Sequence, residues 1–298
     1  MRKGGAAVEN HSIFNKNINT HCGVVTIVGY PNSGKSTLMN ALVGYKVSIV
    51  THKVQTTRRQ IQGVLTKGDS QVVFIDTPGI FDAKKPLEKA LVTAAYKSFQ
   101  GVDKVILLMD VREYDPEFVS KIQKLAGDIP FQLVINKIDK VTEDVYKDIP
   151  GIKISAKTGE GVESLKQDIL THLPPHPFLY DPDQLTNINQ KIWTAEMTRE
   201  KAMLALHQEL PYELYVETES FKETKTYYEI KQVIVVSRDG LKGMVLGSTG
   251  SMIKKIGTES RLEMESLLGR KVNLFLYVKV QPDWQEKRMV LQSLGIAQ

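Results

Sequence analysis

The sequence has little cysteine and lacks any long apolar run. Its single cysteine, Cys22, excludes an internal disulfide framework and favours a reducing compartment. No apolar segment approaches the roughly 20 residues of a membrane-spanning helix. Residues 1–21 also lack the apolar centre of a secretory signal. We therefore expect a cytoplasmic protein that begins with a disordered polar tail over residues 1–21.

Neither charge nor histidine content identifies a partner. The chain has 39 Lys and Arg against 34 Asp and Glu, a net charge of +5 that permits an anionic partner without requiring one. Its six histidines show no metal-ligand pattern. His172 and His176 are four residues apart, but two prolines between them exclude the helix that would bring them together. At 298 residues the chain exceeds the usual domain size of about 100–200 residues, which favours two domains.

What the chain does contain is a glycine-rich phosphate-binding motif, G-x-x-x-x-G-K-[ST], over residues 29–36. The segment reads Gly29-Tyr30-Pro31-Asn32-Ser33-Gly34-Lys35-Ser36. An apolar β-branched run precedes it and a helical pattern follows it, which is the strand-loop-helix context that the motif requires. We expect a nucleoside triphosphate here, with Lys35 on the β- and γ-phosphates and Ser36 on Mg²⁺. The alternative, a chance glycine turn, leaves those flanking elements unexplained.

Strands and helices alternate through the first half of the chain. Hydrophobic patterns predict strands over residues 24–28, 61–66, 72–75, 105–109, 131–135 and 152–154. Helical patterns cover residues 37–43, 86–99, 118–125 and 162–170. Residues 48–60 are polar and irregular, so we predict a mobile surface loop there. This alternation predicts an α/β domain with a doubly wound, mainly parallel sheet that binds ligands at the carboxyl ends of its strands.

A proline-rich stretch near residue 175 divides the chain. We predict a linker over residues 174–190, between a nucleotide-binding (G) domain over residues 22–173 and a smaller domain over residues 191–298. The smaller domain has an α+β pattern. Its predicted elements are a helix over 192–206 that Leu210-Pro211 ends, strands over 214–221 and 227–236, a glycine-punctuated loop, a helix over 252–268 and a strand over 272–280.

Two further motifs follow buried strands of the first domain. In Asp76-Thr77-Pro78-Gly79, Asp76 can hold Mg²⁺ through water and the Gly79 N–H can sense the γ-phosphate. In Asn136-Lys137-Ile138-Asp139, the Asp139 carboxylate can accept both the N1–H and the exocyclic amine of guanine, a pair of donors that adenine lacks. Taken singly, the first motif could be a simple turn and the second a helix cap with surface charges.

Weaker signals complete the predicted site. Ser155-Ala156-Lys157 follows the next strand and would present backbone N–H groups to the guanine O6. In the polar loop, Thr57 is the predicted second hydroxyl for Mg²⁺. Thr56 is the alternative ligand. The interpretation without a function is that both threonines are simply solvated.

Together these motifs resemble the Era family of P-loop GTPases, and the resemblance runs from about Cys22 to the C-terminus. It is also carried by Gln55-Thr56-Thr57-Arg58 and by residues 245–257 of the second domain, which look like a KH loop. The resemblance implies a Mg²⁺-dependent GTPase that binds GTP and GDP. It further implies a KH-type domain that binds the 3′ end of 16S ribosomal RNA, a role in 30S subunit assembly and rRNA maturation, a monomer, and peripheral association with the inner membrane.

The site residues follow from the same resemblance. The nucleotide-binding residues would be Gly29, Asn32, Ser33, Gly34, Lys35, Ser36, Thr37, Asp76, Thr77, Pro78, Gly79, Ile80, Asn136, Lys137, Ile138, Asp139, Ser155, Ala156 and Lys157. The metal would be held by Ser36, Thr57 and Asp76. Catalysis would depend on Lys35, Thr57 and Gly79.

The second domain carries a short G-x-x-G loop, which we interpret as lying between a strand-and-turn and a helix. Such a KH loop lays its backbone against about four unstacked nucleotides. Residues 238–255 contain four basic side chains and one acidic one, a local net charge of +3. Many KH loops carry Lys or Arg between the glycines, whereas Ser-Thr stands here, so flanking lysines should supply affinity; the alternative is a solvated turn. The predicted RNA-binding residues are Lys242, Gly247, Ser248, Thr249, Gly250, Ile253, Lys254 and Lys255.

The predicted function is a GTP-hydrolysing switch joined to an RNA-binding module. The rival hypothesis is a nucleotide-gated binding protein whose hydrolysis is too slow to matter. Ile80 stands where Ras-like switches carry the glutamine that orients the attacking water, so intrinsic hydrolysis should be slow. Related GTPases with Asn at the position of Asn32 use it to help hold K⁺ beside the phosphates, and Arg58 and Arg59 are alternative sources of positive charge.

Overall fold

The first domain is organised around one six-stranded sheet. In the computed structural model, which describes residues 19–51, 61–80, 93, 96–206 and 213–287, its strands are β1 His21–Val28, β2 Ile61–Lys67, β3 Ser70–Asp76, β4 Lys104–Asp110, β5 Phe131–Asn136 and β6 Ile152–Lys153. They lie in the order β2-β3-β1-β4-β5-β6, with β2 antiparallel to β3 and the other pairings parallel. The doubly wound, mainly parallel sheet is confirmed. β1 already includes His21, and residues 1–18 of the predicted tail lie outside the described residues.

Helices cover both faces of this sheet. They are α1 Lys35–Val43, α2 Pro116–Ala126, α3 Glu143–Tyr146 and α4 Val162–Thr171. Leu38 of α1 and Leu165 of α4 share one buried cluster with Ile27, while Phe118 of α2 packs with Leu107 in a second cluster. Because the central strands are buried on both sides, they are continuous apolar runs and do not alternate with polar residues.

Two predicted elements of the first domain need comment. The helix predicted over 86–99 falls largely outside the described residues. The predicted surface loop over 48–60 begins inside the protein, since Ser48 and Ile49 are buried. Residues 52–60 of that loop lie outside the described residues.

The second domain places three helices on one face of a three-stranded sheet. Its elements are α5 Gln190–Ala205, β7 Leu214–Glu223, β8 Tyr227–Val236, α6 Asp239–Leu246, α7 Ser251–Leu268 and β9 Lys271–Val280. β8 lies between an antiparallel β7 and a parallel β9. On the opposite face Trp284 is fully buried against Tyr215, Val233 and Val235. The α+β organisation is therefore confirmed.

The predicted glycine-punctuated loop after β8 is wrong in part, because residues 239–246 form helix α6. Gly240 and Gly243 lie inside this helix, although each glycine costs about 1 kcal/mol relative to alanine in a helix interior. Leu241 and Val245, four residues apart on one face, are both buried in the core of the second domain. Burying two such side chains contributes roughly 1.5–3 kcal/mol each, which offsets the glycine penalty.

The predicted linker packs along the first domain through the buried side chain of Gln71. The Gln71 Oε1 accepts hydrogen bonds from the N–H groups of Leu179 and Tyr180 at 2.9 and 3.0 Å. The Gln71 Nε2 donates to the Tyr180 carbonyl at 2.9 Å. These three hydrogen bonds anchor residues 179 and 180 of the linker to β3 of the first domain.

The domains meet at the segment that follows α1. Lys46 Nζ lies 2.5 Å from carboxylate oxygens of both Glu200 on α5 and Glu263 on α7. The Trp193 indole N–H donates to the Lys46 carbonyl at 2.9 Å, and its ring stacks on Tyr45. Across the described parts of both domains, no helix combines the length and apolar character needed to cross a bilayer.

Candidate functional site

The phosphate-binding loop requires glycine at both of its fixed glycine positions. A Cβ on Gly29 would lie 2.2 Å from the Leu108 carbonyl oxygen, and a Cβ on Gly34 would lie 2.3 Å from Asn136 Nδ2. Gly34 is also left-handed, with φ 101°, and is the N-cap of α1 without a side-chain capping bond. The N–H groups of the first turn of α1 are therefore left for an anion at the loop.

Lys35 is buried inside this loop. Its Nζ donates to the carbonyls of Gly29 and Tyr30 at 3.2 and 2.8 Å. Burial lowers the pKa of Lys35 to about 8, although the Asp76 carboxylate opposes the shift; the Lys137 charge lowers it further. Ser33 Oγ is buried as well and has no hydrogen-bond partner in the described part of the chain. A buried ammonium beside an unpartnered hydroxyl fits a site for phosphate oxygens.

Hard oxygen ligands converge beside the loop. The hydroxyls of Ser36 and Ser48 donate to the same oxygen of the buried Asp76, Oδ2, at 2.7 and 2.8 Å. Hydroxyl and carboxylate oxygens are ligands that Mg²⁺ prefers, so the residues present fit the metal. Thr57 and Thr56 lie outside the described residues. Sequence reasoning missed Ser48, because it belongs to a segment interpreted as a surface loop.

The segment after β3 runs directly against the phosphate-binding loop. A Cβ on Gly79 would lie 2.7 Å from the Pro31 nitrogen, so only glycine allows this approach. The Ile80 N–H donates to the Gly29 carbonyl at 3.0 Å. The Ile80 side chain is 4% exposed and packs in the buried cluster that contains Phe118 of α2. Ile80 thus contributes backbone and packing to this region.

The Asn136-Lys137-Ile138-Asp139 motif is tied to the same loop. Asn136 Nδ2 donates to the Ser33 carbonyl at 2.8 Å, and its Oδ1 accepts from the Ala156 N–H at 2.9 Å. Lys137 Nζ donates to the Asn32 carbonyl at 2.5 Å. Because β1 and β5 end at one edge of the sheet, motifs about 100 residues apart become neighbours.

Asp139 lies at the outer end of this group. The Ser155 hydroxyl donates to Asp139 Oδ1 at 2.7 Å, which orients the carboxylate. The backbone N–H groups of Ser155 and Ala156 donate to Glu160 O and Asn136 Oδ1. A contact from either of these N–H groups to guanine O6 would have to share or replace those bonds, so that role of the triplet stays a prediction.

The G-x-x-G loop joins two helices. It lies between α6 and α7, not between a strand-and-turn and a helix as the sequence suggested. Gly247, Thr249 and Gly250 all have positive φ, at 73°, 51° and 79°. Gly247 ends α6 and Gly250 is the N-cap of α7, while Ser248 and Thr249 are exposed. The loop therefore presents bare backbone at the start of an 18-residue helix.

The predicted basic residues surround this loop unevenly. Lys254 and Lys255 are exposed on the first turns of α7, whereas Lys242 and Ile253 are half-buried. The positive charge next to the glycines therefore comes mainly from α7, whose N-terminal N–H groups add to it.

Comparisons with known proteins agree with this geometry. Residues 24–137 match a family described as 50S ribosome-binding GTPase, and residues 209–285 match the KH domain family. The GTPase Era of Dinoroseobacter shibae is 42% identical over 294 residues, covering 93% of this chain and 96% of the relative. The GTPase Era of Bradyrhizobium sp. BTAi1 is 42% identical over 292 residues, covering 93% and 94%.

Two solved structures also match nearly the whole chain. A single-residue variant of Aquifex aeolicus Era bound to GDP·AlF4⁻ has a TM-score of 0.85 and 35% identity, covering 94% of this chain and all of that one. Era in complex with MgGDPNP and nucleotides 1506–1542 of 16S ribosomal RNA has a TM-score of 0.84, also at 35% identity and with the same coverage. Motifs, fold and relatives lead to one conclusion: the chain belongs to the Era family of GTPases.

Proposed function

We propose that this chain couples GTP hydrolysis to binding of the 3′ end of 16S ribosomal RNA, and so assists 30S subunit assembly and rRNA maturation. One observation carries the proposal: a phosphate-binding loop and an exposed G-x-x-G loop stand in one chain. A relative 35% identical to it has been solved with MgGDPNP and nucleotides 1506–1542 of 16S rRNA.

In this proposal water attacks the γ-phosphate in line, and the buried Lys35 ammonium neutralises charge that develops there. The Gly79 N–H would donate to the γ-phosphate, since Gly79 lies against the loop at Pro31. Mg²⁺, when bound by Ser36 and Asp76, would supply further positive charge on the phosphate oxygens. Thr57 would complete its ligands.

RNA recognition would use the loop backbone and α7. Bare backbone at Gly247 and Gly250 allows close approach of a sugar-phosphate chain. Lys254 and Lys255 beside the helix N-terminus would attract the phosphates. Because the charge is local, binding should depend on salt but involve few phosphates.

Further details also belong to the proposal. The domain boundaries at 22–173, 174–190 and 191–298 rest on the sequence pattern, and the cytoplasmic location rests on the single cysteine. The monomeric state, the peripheral association with the inner membrane and K⁺ held near Asn32 rest on the family resemblance.

The test is multiple-turnover phosphate release with and without a synthetic RNA of the 16S 3′ end. A scrambled RNA of the same composition is the control. Saturable binding of the matched RNA, with measurable turnover, would support the proposal. The rival, a nucleotide-gated binding protein with negligible hydrolysis, is favoured by Ile80, whose side chain has no group that could orient the attacking water. Tight nucleotide binding without turnover in either condition would establish that rival, and equal affinity for both RNAs would remove the ribosomal RNA assignment.

A further inference from the structure

Asp110, which no motif includes, lies at the junction of the nucleotide-site motifs. It is the last residue of β4 and pairs in register with Asn136, so it neighbours the start of the guanine motif. Its side chain is 3% exposed. A carboxylate is rarely buried to this extent unless cations compensate it.

Two cations do so. Lys137 Nζ lies 2.9 Å from Asp110 Oδ2. Arg112 binds both oxygens of the same carboxylate: its Nη2 lies 2.6 Å from Oδ2 and its Nε lies 3.0 Å from Oδ1. Burial alone would raise the pKa of Asp110, but these partners outweigh it and hold the pKa at about 2. The carboxylate is thus charged at any physiological pH.

The backbone on both sides of this contact is unusual. Lys137 is left-handed, with φ 66°, as is Asn32, with φ 62°. Non-glycine residues adopt this conformation uncommonly, and Lys less readily than Asn. Lys137 Nζ bridges Asp110 and the Asn32 carbonyl, and therefore uses two of the three hydrogens of its ammonium group.

Asp139 is the competing carboxylate. It lies in the same short helical turn that follows Lys137, residues 138–140. The pKa of Arg112 is raised mainly by Asp110 and also by the charge of Asp139, so Asp139 is within electrostatic reach of Arg112. Lys140 Nζ lies 3.8 Å from Asp139 Oδ2, beyond hydrogen-bond distance, and leaves that oxygen open. A cation that hydrogen-bonded to Asp139 would occupy the oxygens that guanine needs.

We propose that Asp110 is a positioning residue for base recognition: it holds Lys137 against the phosphate-binding loop and thereby keeps the Asp139 carboxylate available to guanine. The inference rests on the proposed base site at Asp139. Asp110 itself does not touch the nucleotide in this scheme. It acts through Lys137.

Asp110→Asn tests the proposal because it removes the charge but keeps the shape. Lys137 should then spend part of its time on Asp139. Guanine loses two bonds when Asp139 is masked, whereas hypoxanthine, which lacks the exocyclic amine, loses one. We expect affinity for GDP to fall about tenfold, as for loss of one charged hydrogen bond. The preference for GDP over IDP should fall at least about threefold. The turnover number at saturating GTP should change little.

The preference for GDP over IDP does not depend on how much of the variant is folded, so it separates positioning from a general loss of structure. Arg112→Ala is the matched control, since it removes the other partner of Asp110 and leaves Lys137 paired; its GDP affinity should stay near that of the parent chain. Should Asp110→Asn not accumulate in folded form, the double variant with Arg112→Ala, which removes the unpaired guanidinium, takes its place.

Unchanged GDP affinity in Asp110→Asn, an equal fall for GDP and IDP, or the same effect in Arg112→Ala would each overturn the proposal. Asp139→Asn, measured in parallel for binding of GDP and XDP, separates failure of the base site at Asp139 from failure of the positioning role of Asp110. If that variant shifts toward XDP while Asp110→Asn has no effect, only the positioning role fails. If it does not shift, the proposed base site and this inference fail together.

Discussion

The backbone N–H of Val50 donates a hydrogen bond of 2.7 Å to the carboxylate of Glu200, 150 residues away on α5. Val50 stands just before the segment that carries Thr57 in the sequence. Two residues earlier, Ser48 donates to Asp76 in the predicted metal site. One short segment therefore contacts Asp76, the carboxylate of the predicted metal site, and a buried glutamate of the second domain.

The ion pair between Lys46 and Glu200 should contribute to the stability of the domain junction. Glu200 is 3% exposed and Lys46 21% exposed, so water screens the pair only partly. Lys46→Met and Glu200→Gln should each destabilise the chain by ~1–2 kcal/mol. Urea unfolding of the single and double variants would measure the coupling between them. Strictly additive losses would mean that this pair contributes nothing of its own.

Asp139→Asn should change base preference from guanine toward xanthine. Ser155 Oγ donates to Asp139 Oδ1, so an asparagine can keep its oxygen there and turn its amide N–H₂ toward the base. That group matches the 2-carbonyl of xanthine and opposes the amine of guanine. GDP affinity should fall at least about 10²-fold while XDP affinity rises, as measured by competition with a fluorescent nucleotide. The same substitution at the exposed Asp144 is the control, and a parent-like preference in Asp139→Asn would contradict the assignment.

Lys35→Met should stabilise the nucleotide-free chain at pH 7. Burial lowers the pKa of Lys35 from 10.5 to about 8, so the unfolded chain binds this proton more tightly than the folded chain does. Between about pH 8 and 10.5 the free energy of unfolding of the parent chain therefore rises with pH. The variant's advantage, ~1–3 kcal/mol at pH 7, should shrink through that window.

Urea unfolding at several pH values would measure this trend, and Lys124→Met on α2 controls for loss of a surface charge. With saturating GDP the order should reverse, because only the parent chain gains stability from tight binding. An advantage that stays constant from pH 7 to 10 would contradict the effect of burial.

The nucleotide site could be predicted because each motif is local and directly follows a strand. Gly29, Asp76 and Asn136 end or follow β1, β3 and β5, whose carboxyl ends share one sheet edge. Short patterns thus identify residues that the parallel sheet then brings together. The tertiary contacts could not be predicted in this way. Ser48, Val50 and Asp110 match no pattern, because their roles arise from partners far away in the chain.

Helix α6 shows a second limit. Two glycines disfavour a helix, and the two buried side chains that outweigh them can be recognised only when the sheet beneath them is known. The same reasoning applies to Ile80. Its position in the sequence indicated only that no glutamine stands there to orient the attacking water, whereas its burial beneath α2 is a property of packing.

The two loop glycines should tolerate substitution differently. A Cβ on Gly247 would lie 2.7 Å from the Met252 Cβ, whereas a Cβ on Gly250 would meet nothing within 4 Å. Gly250→Ala and Gly250→Asp both place a side chain at φ 79°, where aspartate is the better tolerated of the two, so a larger loss in Gly250→Asp points to its added charge. We expect RNA affinity to fall a few-fold in the first and at least about tenfold in the second, more at low salt.

Fluorescence anisotropy with the 16S 3′-end RNA at two salt concentrations would measure this. Gly247→Asp combined with Gly250→Asp should abolish RNA binding and leave GTP binding intact. Equal affinities for Gly250→Ala and Gly250→Asp would mean that no phosphate approaches this glycine.

Hydrolysis should depend on K⁺ and on the Asn32 side chain. Ile80 is buried and offers no hydrogen bond to water, so Ile80→Ala should destabilise the fold by roughly 2–4 kcal/mol without abolishing turnover by the folded fraction. The positive charge that stabilises the transition state of hydrolysis must then come from another group. Asn32 is exposed at the tip of the phosphate-binding loop, where a monovalent cation could lie beside the phosphates.

Turnover in K⁺ should exceed turnover in Na⁺ at matched ionic strength by at least about tenfold, because one preorganised charge at a transition state is typically worth that much. Asn32→Ala should lose the advantage. Since Asn32 is left-handed, with φ 62°, alanine adds backbone strain there, and Asn32→Gly separates loss of the amide from that strain. If K⁺ is the source of charge, both variants lose the K⁺ advantage and the glycine variant keeps its nucleotide affinity. Equal rates of the parent chain in the two salts would reject K⁺ and point to Arg58, Arg59 or a partner supplied in trans.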